Sequence, residues 1–181
     1  MEQTIEIHHA MIIRTVLPDK GYDALTQAHH LEMWMDAPTR SQPELGTTVE
    51  FHFDQGQRSL KMEITRLEEG KLVQWRVLEP IWPINQIEQT ITWTLTPYES
   101  STLVDFHMAG WPEDNEIFAS VSYKWALFMT RLKLYMGDTR ELVTLLPVIE
   151  RTGKPANERP FSLSTLFSQP STRPFPHIQR N

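Results

Sequence analysis

The chain has 181 residues, 40% of them hydrophobic, with six tryptophans, no cysteine and a formal net charge of −6. That length bounds it at one domain with some excess, and the missing cysteine excludes disulfides, thiolate catalysis and cysteine-ligated metal. Residues 1–150 carry 12 Lys and Arg against 22 Asp and Glu, residues 151–181 five against one; so acidic a body excludes nucleic acid, whose affinity comes from neutralised phosphates.

The first strand is read over Thr4–Arg14. Pro18-Asp19-Lys20-Gly21 leads into a short helix, Tyr22–Gln27, and a second one, His30–Met35, ends before Ala37-Pro38. Pro43 and Gly46 mark the loop into a sheet. Thr47–Phe53 puts Val49, Phe51 and Phe53 on one face, with Glu50 and His52 on the other. Asp54-Gln55-Gly56-Gln57 reads as a hairpin turn, and Ser59–Leu67 then offers Leu60, Met62 and Ile64 inward. After the turn Glu68-Glu69-Gly70-Lys71, Leu72–Leu78 offers Val73, Trp75 and Val77. Pro80 and Pro83 make Glu79–Asn85 a loop or bulged edge.

Gln86–Thr96 alternates strictly, with Ile87, Gln89, Ile91, Trp93 and Leu95 on one face and Glu88 and four threonines on the other. Such period-2 alternation marks a half-buried strand. Pro97–Ser101 joins it to Thr102–Ala109, and Gly110-Trp111-Pro112 reads as a tight break. A long helix follows from Glu116 to Met136, its stripe formed by Phe118, Val121, Ser122, Trp125, Met129, Leu132 and Met136. Glu113, Asp114 and Glu116 suit the helix dipole and its free amides. Gly137-Asp138 ends the helix, and Thr139–Leu146 reads as a short helical piece.

Residues 151–181 differ in character, with five of the 13 prolines among Ser and Thr. Such a segment cannot offset its own ordering entropy and is read as a mostly flexible extension. Phe161, Leu163, Leu166, Phe167 and Phe175 support the other reading, docking on the body or on a second copy of the chain in a homodimer. The domain division is therefore 1–150 and 151–181.

Several motifs carry a resemblance. Ala24-Leu25-Thr26 with Leu31 and Trp34, the Pro43–Gly46 turn, Glu68–Trp75, and Thr92–Leu95 with Thr102–Val104 follow one another as in the START-like (SRPBCC) superfamily. Ser101 stands where glycine is usual. His107–Trp111 and Trp125-Ala126 are similar to the branch related to the activator of the heat-shock-protein-90 ATPase. The resemblance covers residues 4–136. It implies an α+β helix-grip fold, with a curved antiparallel sheet wrapped around a long C-terminal helix and two short helices after the first strand. It also implies a cavity between sheet and helix, but no single reaction, because one fold hosts many functions.

The residues expected to line that cavity are Gln89, His9, Trp34, Phe51, Trp75, Trp93, Phe106, Phe118, Ser122, Trp125 and Met129. For the aromatics, ordinary core packing is the competing reading. Gln89 is sharper: a buried amide without a partner costs about 1–3 kcal/mol, so it meets either a protein group or a polar group of a ligand. His9 follows the same logic on the first strand. No metal site is expected, since the pairs His8-His9 and His29-His30 are adjacent and do not face each other, no H-x-x-x-H or acidic cluster with metal spacing appears, and His52 and His107 lie on outward faces.

No catalytic residue is assigned: there is no G-x-S-x-G and no Ser/His/Asp grouping. No cofactor is expected. No apolar run approaches the ~20 residues of a membrane span, and MEQTIEIHHA lacks the features of a signal peptide, so the expected address is cytoplasmic. The leading expectation is non-covalent binding of a small hydrophobic or aromatic molecule. A polyketide-cyclase-like enzyme using the same cavity, and an interaction module modulating a chaperone ATPase, are the alternatives.

Overall fold

The computed structural model describes residues 5–82 and 88–138. They run β1 (Ile5–Ile13), α1 (Pro18–Thr26), α2 (Ala28–Met35), β2 (Thr39–Arg40), β3 (Thr48–Phe53), β4 (Arg58–Glu68), β5 (Leu72–Glu79), β6 (Thr90–Tyr98), β7 (Ser101–Trp111) and α3 (Glu116–Tyr135). The strands form one curved antiparallel sheet in the order β1-β7-β6-β5-β4-β3-β2, so the first strand closes beside the last. This is the expected α+β helix-grip architecture. The expected division at residue 150, the piece Thr139–Leu146 and the extension 151–181 lie outside the described residues.

Strand alternation supplies the core. Val49 and Phe51 of β3, Leu60, Met62 and Ile64 of β4, Val73 and Trp75 of β5, Ile91 and Trp93 of β6, and Val104, Phe106 and Met108 of β7 are all buried on one face. α3 lies across that face. Its N-cap Asn115 accepts hydrogen bonds from the Ile117 and Phe118 amides, both at 3.0 Å, satisfying donors that a helix start otherwise leaves free. Phe118 then meets Trp111 on β7, Trp125 meets Phe106 and Trp93, and Phe128 meets Phe53 on β3. The helix thus traverses the sheet. Phe128 belongs to its buried face although the expected stripe left it out.

Three local expectations need correction. α1 begins at Pro18 rather than Tyr22, because proline has a helical φ and no amide hydrogen to lose in the first turn. The Asp54–Gln57 turn closes the β3–β4 hairpin as expected, with Phe53 paired to Arg58, and within it Asp54–Gly56 forms a 3-10 turn with Asp54 and Gln55 in the left-handed region. β6 begins at Thr90, so Glu88 and Gln89 precede it, although the Gln89 carbonyl still accepts from the Val77 amide at 2.9 Å; Gln86 and Ile87 lie outside the described residues.

The third concerns Gly110-Trp111-Pro112, which is no break: β7 continues through Gly110 to Trp111. Ile5 pairs with Trp111 but Ile7 with Met108, so β7 carries one extra residue, a β-bulge. Gly110 has φ +89°, and a Cβ there would stand 2.3 Å from the Glu88 carbonyl oxygen. Only glycine fits that approach.

Candidate functional site

The expected interior residues do gather between sheet and helix. Trp34, Phe51, Trp75, Gln89, Trp93, Phe106, Trp125 and Met129 are buried, and His9, Phe118 and Ser122 are half-buried. Trp93 is the hub. Its ring meets Trp34 at 6.0 Å, Trp75 at 5.9 Å, Phe106 at 4.7 Å and Trp125 at 6.0 Å, all edge-to-face. That is the geometry ring quadrupoles prefer, and it accounts for most of these aromatics as mutual packing.

Hydrogen bonding separates the rings from one another. Trp34 Nε1 donates to the Ala24 carbonyl at 2.8 Å. The indole nitrogens of Trp75, Trp93 and Trp111 are buried with no partner among the described residues, as is the Gln89 amide nitrogen Nε2. All four are donors. This part of the interior is short of acceptors for them.

Gln89 is 1% exposed. Its Oε1 accepts from Trp82 Nε1 at 2.9 Å. Trp82 stacks on Trp111 at 6.3 Å, and Trp111 meets Phe118 at 5.3 Å. One half-satisfied amide is thus held by the first of three rings that link in turn to the start of α3. Trp82 was not foreseen; it lies in a proline-flanked loop without periodicity, and only its size hinted at burial.

His9 is held at one ring nitrogen by Ser122. Its Nε2 lies 3.0 Å from the Ser122 carbonyl and 3.2 Å from the Ser122 hydroxyl. The carbonyl can only accept, so Nε2 donates to it. His9 therefore ties β1 to α3, its ring 6.1 Å from Phe106.

Two further features lie outside this interior. A surface recess of about 500 Å³ is lined by Val16, Lys20, His30 and Tyr135. There His30 Nδ1 stands 2.6 Å from the Tyr135 hydroxyl. Burial, and after it the neighbouring His29, hold the His30 imidazole below its ordinary pKa; Asp23 opposes and Lys20 adds a smaller push down.

On the outer face of the sheet, His8 of β1 pairs with His107 of β7, and their rings stack at 4.1 Å. His8 Nε2 lies 3.3 Å from Asp105 Oδ1, and His107 Nδ1 lies 3.3 Å from Glu6 Oε1. His8 and His9 do point apart, as expected, but the argument against a clustered donor set does not survive: it tested neighbours in sequence, and β1–β7 pairing brings together residues about a hundred positions apart.

A family model described as Activator of Hsp90 ATPase homolog 1-like protein (AHSA1) matches residues 15–137. Among solved structures, an Aha1 dimer from Colwellia psychrerythraea is 28% identical, with a TM-score of 0.63 over 71% of this chain and 93% of its own. Protein MLL2253 from Mesorhizobium loti is 24% identical, with a TM-score of 0.62 over 76% and 98%. PFC0360w, an Hsp90 activator from Plasmodium falciparum, is 15% identical, with a TM-score of 0.59 over 74% and 96%. The last two bear on the fold alone. No curated protein gives a significant match. No helix among the described residues is long and apolar enough to cross a membrane.

Proposed function

The chain belongs to the Activator of Hsp90 ATPase homolog 1-like family, and within it we propose that this member binds a small, largely apolar or aromatic molecule bearing a carbonyl-type oxygen. The observation that carries this reading is the Gln89 amide nitrogen, buried and without a partner among the described residues, on a side chain held by Trp82, whose ring stacks on Trp111. An apolar wall with one placed polar group is the usual make-up of a small-molecule site. Leaving that donor unpaired costs about 1–3 kcal/mol, which a ligand oxygen would recover.

The test is a thermal-shift and native mass-spectrometry screen of the full chain against fatty acids, flavonoids and aromatic ketones. A carbonyl-bearing binder that raises the melting temperature of the wild type but not of Gln89→Leu supports the reading. A screen without binders, or binders indifferent to Gln89→Leu, removes its support.

A second reading, modulation of a chaperone ATPase, draws on the family and on the names of the Colwellia and Plasmodium proteins. Stimulated ATP hydrolysis by an Hsp90-type chaperone, unchanged by Gln89→Leu, is its expected signature. A cyclase-like enzyme would need a base in the interior, and His9 is occupied by Ser122; loss of turnover without loss of folding on His9→Leu is what that alternative requires. Homodimerisation through residues 151–181 is tested by sedimentation of the full chain against residues 1–150.

A further inference from the structure

We propose that His8, His107 and Asp105 bind a divalent transition-metal ion, with Zn²⁺ as the reference case, on the outer face where β1 meets β7. The argument is independent of the interior site, since these side chains occupy the opposite side of the same strands. His8 is exposed, whereas Asp105 and His107 are half-buried. One donor atom from each of the three lies within 4.8 Å of the other two. On a tetrahedral zinc ion, with bonds of about 2.0–2.2 Å, donors stand about 3.4 Å apart. The pair His8 Nε2 and Asp105 Oδ1 is already at 3.3 Å. The remaining closure is of the order of 1 Å, within reach of side chains on a solvent-facing surface.

The chemistry of the set suits the ion. Two imidazoles and a carboxylate are ligands that zinc, nickel and copper accept in common, and hard cations such as magnesium disfavour the nitrogens. Glu6 stands 3.3 Å from His107 Nδ1. That is the place of the carboxylate that commonly orients a metal-binding histidine through its other ring nitrogen. Three protein ligands leave at least one coordination position for water or a donor from a partner. β1 is an edge strand, so the ion would also fasten that strand to β7. The family match begins at residue 15, after β1, so half of the histidine pair comes from outside the matched segment.

The experiment is calorimetric titration of the tag-free full chain with ZnCl₂, repeated on single variants. The expected result is one equivalent of zinc bound, weakened at least tenfold by His8→Ala and by His107→Ala. Asp105→Asn, which keeps the shape of the side chain, is expected to weaken it as well, and Glu6→Gln by about tenfold. His29→Ala and His30→Ala, which alter the other adjacent pair of histidines, should leave the affinity unchanged. Substituted Co²⁺ should give a visible spectrum that changes on His8→Ala. Circular dichroism in metal-free buffer should show the same fold for every variant. Absence of saturable zinc uptake overturns the proposal. So does uptake that persists in His8→Ala and His107→Ala, or that is lost instead with His29 or His30.

Discussion

The two faces of β6 and β7 are built from the same strands by the same alternation, yet they hold opposite kinds of side chain. Inward stand Ile91, Trp93, Phe106 and Met108, all buried; outward stand Thr92, Thr94, Asp105 and His107, all half-buried. The inner face gains its stability from ring contacts and leaves donors unpaired. The outer face pairs its titratable groups loosely, near water. The same division falls between neighbours on β1, where His9 turns to α3 and His8 to Asp105. A single residue step therefore separates a packing role from a chemical one, and substitutions on the two faces should differ in kind.

The largest effect is expected from Trp93→Ala, which removes the hub of four ring contacts. A loss of about 3–5 kcal/mol of unfolding free energy is expected in urea denaturation; a loss below 1 kcal/mol would mean that the interior is already loose around it. Gly110→Ala strikes the boundary between the faces, where φ is +89° and the Glu88 carbonyl is close. It should cost at least about 1–3 kcal/mol and lower the melting temperature.

A change that tests the inner face without emptying it is Gln89→Leu. It frees Trp82 Nε1 from its acceptor but removes the orphaned Nε2, and the two offset to within about 1 kcal/mol. A far larger loss would make the amide a structural element and weaken the ligand reading.

His30, beside Tyr135, gives a smaller effect confined to acid. Its folded-state pKa is lowered, so its contribution is complete above the unfolded value near 6.5 and is lost as pH falls below that toward the lowered folded value. A melting-temperature profile between pH 5 and 8 should flatten in this window in His30→Gln. Least of all, His8→Ala should change stability by under about 0.5 kcal/mol in metal-free buffer, as surface substitutions do. A loss comparable to that of Gly110→Ala would erase the contrast between the faces.

Much of the inner face was legible because period-2 alternation is a strong signal when every second residue is Ile, Trp, Phe or Leu. Gln89 stood out for the same reason, as the one amide in such a row. What escaped detection depended on tertiary register. Nothing local to His8 points to His107, and only the antiparallel pairing of the first and last strands makes them neighbours. Trp82 lacked a periodic context, and Phe128 lies between positions of the expected stripe. Glycine followed by Trp-Pro reads locally as a chain break, yet a strand passes through it once the extra residue is absorbed as a bulge.

That bulge bears on how the sheet ends. The sheet has two unequal rims: β2 is two residues long, whereas β1 is nine. A long flat rim offers unpaired backbone groups on which foreign strands can nucleate aggregates. The extra residue on β7 breaks the regular ladder between Ile5 and Ile7, and such a bulge bends its strand and sharpens the local twist. Gly110, by permitting that extra residue, interrupts the regular pairing near the start of the longer rim.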